Sequence, residues 1–212
     1  MVKKILLFVF AVLIGMTNTT VSADQEFAPR DDQLQKAILT LRDAANDGAR
    51  RNEAISYLEK TSHRYPADPY VAVQLAGAYG LQAKFATTRE AKAVWAAKAD
   101  AVLNDVISSH PDYLLAHAIR GVHMAMSPPS LGYEKQAEKE LRGVIDARPN
   151  KPTEDDMEAA VVSYLFLARL YDRQAKSLSG DAQAAKHKQA EQLRADLKTR
   201  FPKLDLSKAI AS

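Results

Sequence analysis

Apolar residues recur along the chain at three- and four-residue steps, and four of these runs end on a proline: Tyr65-Pro66, His110-Pro111, Arg148-Pro149 and Phe201-Pro202. That period places the apolar side chains on one face of a helix. A proline then stops the helix, because it has no amide proton and constrains the residue before it. Twelve residues before each proline stands an alanine, namely Ala54, Ala99, Ala137 and Ala190. Eight before stand Leu58, Leu103, Leu141 and Arg194, and five before stand Thr61, Val106, Val144 and Leu197. The recurring face is therefore small, large, medium, then stop. Such an order suits closely paired helices: the small residue lets a partner backbone approach, and the large one a turn later fills the next gap.

Each of these helices needs a partner upstream. After Pro66, Asp68 is positioned to cap a helix with Pro69 at its first position, followed by Ala72, Leu75, Ala76 and Tyr79 on one face. Asp32, with Gln35 in the returning role, starts an earlier helix through Leu34, Ile38, Leu41 and Ala45, and Asn46-Asp47-Gly48 forms its turn. Thr153, capped against Asp156, opens another helix carrying Tyr164, Leu167, Ala168 and Tyr171. In the third pair Gly121 stands at its expected offset, while Arg120 occupies a position where an apolar residue is expected. The Thr87 to Glu90 stretch reads as a capping box for a long helix that carries Trp95 in line with Ala99, Val102 and Val106.

With these residues in place the chain resembles the tetratricopeptide repeat (TPR) family, in four degenerate repeats over about residues 32–206. The resemblance implies an all-α fold, an α-solenoid of about four helix-turn-helix repeats, in which neighbouring hairpins cover one another's apolar faces. It also implies a concave groove lined by the first helices. The residues carried over to that groove are Leu39, Asp43 and Asn46, then Tyr70, Val73 and Gly77, then Ala118 and Val122, then Leu165, Arg169, Asp172 and Arg173. Arg169 and Arg173, one turn apart, are the pair expected to clamp a carboxylate such as a peptide terminus, and their replacement by alanine is expected to weaken capture without changing stability.

The first residues read differently. Lys3 and Lys4 precede an apolar run from Ile5 to Met16, and a polar stretch then closes on Val21-Ser22-Ala23. This is the pattern of a signal peptide at 1–23 cleaved after Ala23, and the run is too short to span a bilayer, which takes about 20 residues. A linker at 24–31 and a tail at 207–212 flank the repeats. The expected location is periplasmic or secreted. No cysteine is present, so disulfides, thiol chemistry and lipoprotein-type lipidation are excluded. Loss of Lys3 and Lys4 with the leader leaves 27 basic against 26 acidic residues, and a nearly neutral surface gives no electrostatic reason to bind nucleic acid.

Candidate chemistry is sparse. His117 and His123 lie near Met124 and Met126, but positions six apart on a helix point about 240° from each other and do not converge on one ion. Asp155, Asp156 and Glu158 sit in a predicted first helical turn, where carboxylates oppose the positive helix end. No metalloprotease, nucleophile-elbow, phosphate-loop or EF-hand motif occurs. No catalytic residue, metal or cofactor is expected. A repeat array of this kind with no catalytic motif usually binds other molecules, so the resemblance implies a protein-protein interaction module or adaptor of the cell envelope, binding a protein or peptide. A second reading is an accessory solute-binding component of a periplasmic transport system, with Trp95 and the long loops closing a pocket.

Overall fold

The computed structural model describes residues 32–43 and 47–202, without the side chains of 42 and 43. The leader at 1–23, the linker at 24–31, Asn46 and residues 203–212 lie outside the described residues. The chain is all-α: among the described residues there are eight α-helices, a single 3-10 turn at Pro129–Leu131 and no strand. The helices are α1 (Asp32–Asp43), α2 (Gly48–Arg64), α3 (Pro69–Phe85), α4 (Arg89–Ser109), α5 (Leu114–Met126), α6 (Glu134–Asp146), α7 (Glu154–Ala175) and α8 (Gly180–Arg200). They belong to two compact units that meet in sequence between Ala116 and His117, inside α5.

Local sequence decides most helix ends. The Asp68 carboxylate accepts from the amides of Tyr70 and Val71, and Pro69 takes the first helical position, where a missing amide proton costs nothing. Thr153 and Asp156 form a reciprocal capping box on α7. One expected start moves by a residue: Thr88, not Thr87, caps α4, its hydroxyl accepting from the Ala91 amide at 3.1 Å. The prolines act as expected at three ends. Tyr65, His110 and Phe201 leave the helix with nearly the same backbone angles, φ −125, −134 and −129 and ψ 66, 71 and 66, and each amide still reaches the carbonyl four residues back. The third end comes earlier, with Ala147 already extended, so Arg148-Pro149 lies beyond α6.

In the first unit α1 packs on α2, α2 on α3 and α3 on α4. Their shared core holds Leu34, Ile38 and Leu41, then Ala54, Ile55 and Leu58, then Val71, Leu75, Ala78 and Leu81, with Ala99 from α4. Trp95 packs at its edge against Tyr79, ring centroids 5.5 Å apart. In the second unit α7 packs on both α6 and α8, and it is buried without a break from Glu158 to Ala168. A helix covered all round is apolar on nearly every side, and from Ala159 to Ala168 this stretch carries no charged side chain and only Ser163 and the Tyr164 hydroxyl as polar side-chain groups.

The alanine register lies inside this packing. Ala54 is 3% exposed and Ala99, Ala137 and Ala190 are at 0%, so none has room for a larger side chain without displacing a neighbour. Leu58, Leu103 and Leu141 are fully buried one turn on. At the fourth large position Arg194 is only half-buried, and Leu193 beside it takes the buried place.

Candidate functional site

The groove residues carried over to the first unit divide into two sets. Asn46 lies outside the described residues, as does the side chain of Asp43. Tyr70 is partly buried against the core and held at the helix start that Asp68 caps, its amide 2.9 Å from the Asp68 carboxylate. Gly77 is half-buried. Val73 departs from expectation as a contact residue: it is 1% exposed, because its side chain is part of the packing and has no face left for a partner. In this unit, then, Tyr70 and Gly77 are the accessible members, beside half-buried Leu39.

In the second unit the expected carboxylate clamp is already engaged. The guanidinium of Arg173 donates to the Ala125 carbonyl at the end of α5 and, at 3.1 Å, to Glu134 Oε1 at the start of α6. Gln174 donates to the other Glu134 oxygen at 3.2 Å. Asp172 accepts from Arg194 and lies 3.3 Å from His187 Nδ1, so it ties α7 to α8. The Arg169 guanidinium lies 5.1 Å from the Phe166 ring centre. Burial, and then the nearby Arg194 charge, pushes its pKa down to about 10. Leu165, Ala118 and Val122 are buried.

These contacts change what an Arg173 substitution is expected to do. Arg173→Ala removes donors from a carbonyl and a carboxylate on two other helical ends, and should lower unfolding free energy by about 1–2 kcal/mol in urea titration. The ion-pair share of that is small because both side chains are about a third exposed. An unchanged midpoint would return Arg173 to the role of a free ligand clamp.

The structure also gathers polar side chains that the sequence pattern left separate. Glu140 on α6 accepts from Arg120 at 2.6 Å and lies 2.9 Å from His117 Nδ1, both on α5. Arg120 thus occupies an expected apolar position because it has a partly buried carboxylate to meet. The spacing of His117 and Arg120, one turn apart, was the available signal. His123 stands apart from this cluster, and burial pushes its pKa down to about 4, leaving a neutral ring. Among the described residues no three His, Asp or Glu side chains assemble in a way that could hold a metal ion.

Two tyrosines at the same repeat offset make the same kind of bond. The Tyr79 hydroxyl on α3 donates to Glu59 on α2 at 2.7 Å, and the Tyr171 hydroxyl on α7 donates to Glu138 on α6 at 2.5 Å. Arg142 in turn donates to the Tyr171 oxygen. Burial first, then the glutamate, raises both phenols, Tyr171 to about 12 and Tyr79 further, so each remains a protonated donor. Each phenol fastens the first helix of one expected repeat to the helix before it.

No family model, no curated protein and no solved structure matches the chain.

Proposed function

We propose that the chain is an exported, degenerate TPR-like array that acts as a protein-binding adaptor in the cell envelope and performs no catalysis. The observation carrying this reading is the alanine register: four alanines, each twelve residues before a proline, are all at or below 3% exposure between packed helices. Tyr79 and Tyr171, at the same motif position on α3 and α7, each donate to a glutamate of the preceding helix, seven residues before the proline for Glu59 and eleven for Glu138, and the shared tyrosine position supports the same repeat. Units of this kind expose the faces of successive helices and typically bind other molecules there. In this proposal the leader ends at Ala23 and the adaptor works outside the cytoplasm. Tyr70 and Gly77 would then be contact points of the first unit.

The test places a photo-crosslinking phenylalanine at Tyr70 and, as a control, at exposed Ala101 on α4, in cells that make the protein. Discrete protein adducts from position 70 and none from position 101 are expected, in an envelope fraction whose chain begins at Asp24. Adducts of equal pattern at both positions, or a chain retained in the cytoplasm with residues 1–23 attached, would overturn the proposal.

A further inference from the structure

The described residues include five large apolar side chains that stand well exposed, and four of them lie at one end of the second unit: Met126 at 39%, Leu131 at 55%, Tyr133 at 44% and Leu178 at 40%. Hydrogen bonds join the chain segments that carry Met126, Tyr133 and Leu178, and Leu131 lies two residues before Tyr133. Arg173 joins the Ala125 carbonyl, next to Met126, to Glu134, next to Tyr133. Gln174, bonded to the same Glu134, is followed by a turn in which the Leu178 amide donates to the Ala175 carbonyl. The turn that carries Leu131 is stiff. Pro128 and Pro129 restrict it, Gly132 closes it at φ 70, and the Leu131 and Gly132 amides donate to Pro128 and Pro129 carbonyls at 3.0 Å each. Only glycine adopts that last conformation without strain.

We propose that this tip, the α5–α6 and α7–α8 turns together, seats on an anionic lipid surface. Three observations favour a bilayer over a protein groove or a second copy of the chain. Every residue from Pro128 to Tyr133 is exposed, which describes a protrusion and not a cleft. Four half-exposed side chains offer roughly 300 Å² of apolar surface, less than half of the about 800 Å² that each partner of a stable pair buries. The flanking charge is positive: Lys135 and Lys176 are exposed, while Glu134 is already bonded to Arg173 and Gln174. Asp181, in the first turn of α8, opposes the positive helix end. Leucine and tyrosine at a water-lipid boundary with lysines beside them are the residue types such a surface selects. A stiff turn holds them ready with little ordering cost.

Because the chain has no cysteine, a single Ser130→Cys carries an environment-sensitive fluorophore at the tip alone, with Ser108→Cys on α4 as the control. With phosphatidylcholine/phosphatidylglycerol vesicles a several-fold emission rise and a blue shift are expected at position 130, with little change at 108. A smaller rise is expected with phosphatidylcholine alone. Leu131→Asp combined with Tyr133→Ser should abolish the signal while leaving the far-UV unfolding midpoint in place. No rise at 130, an equal rise at 108, or a rise without lipid that grows with protein concentration would each overturn the proposal, the last by making a second copy the occupant. The local label separates this contact from any membrane binding by residues 5–16. The inference stands independently of the adaptor reading, since crosslinking at Tyr70 and insertion at Ser130 succeed or fail separately.

Discussion

Leu141→Ala should lower the unfolding free energy by about 2–5 kcal/mol, the cost of lost burial plus the cavity left at a site that cannot collapse. Leu141 is fully buried, and it lies directly against Gly121 on α5. A methyl group added at Gly121 would stand 2.8 Å from both Cγ and Cδ2 of Leu141, and 3.2 Å from Glu140 Cβ. The Leu141 side chain is held at its branch as well as at its tip, so it cannot swing away cheaply. Gly121→Ala should therefore cost about 1–3 kcal/mol, although alanine is the better helix former by about 1 kcal/mol. The double substitution is the decisive measurement. Gly121→Ala with Leu141→Ala removes the clash and part-fills the cavity, so its loss should fall clearly short of the sum of the two single losses. Additive losses in urea titration followed by circular dichroism would show that the two positions do not share one contact.

This contact also shows what could be read from residues in order. The alanine-leucine-proline spacing is a property of single helices, and single-helix properties travel with the sequence. The caps at Asp68 and Thr153 form as expected because donor and acceptor lie within three residues. Where two adjacent residues are equally able, as at Thr87 and Thr88, the extended backbone before the helix decides between them, and spacing carries no information about that. The candidate binding residues were harder to read for a related reason. Arg173, Asp172 and Arg194 declare their charge in the sequence but not their partners, which lie 39 and 22 positions away for the Arg173–Glu134 and Arg194–Asp172 pairs. Val73 was equally opaque: a helix position that faces a groove in a regular repeat becomes interior when neighbouring helices close over it. The apolar tip stands in the sequence as Ser-Pro-Pro-Ser-Leu-Gly-Tyr, which marks a stiff turn but not its apolar face, because exposure is a property of the fold.

Glu140 is the second position where a large loss is expected. Its two carboxylate oxygens are divided between Arg120 at 2.6 Å and His117 at 2.9 Å, and its side chain is 13% exposed. Glu140→Ala leaves Arg120, at 21% exposure, without the carboxylate it faces. Removing one partner of a largely buried pair costs more than the pair contributes, because the remaining charge has given up water for nothing. A loss of about 2–4 kcal/mol is expected for Glu140→Ala. Glu140→Gln, which keeps an acceptor for one bond and gives up the charge, should lose about half as much. Arg120→Met combined with Glu140→Leu tests the cause and not only the size. If the cost of the single change comes from an orphaned charge, replacing both partners by apolar side chains of similar volume should bring stability back close to the starting value. A double variant as unstable as Glu140→Ala would mean that the pair fixes the α5–α6 geometry by its direction of bonding. Arg120 would then be a determinant of the hairpin and not a tolerated polar residue at an apolar position.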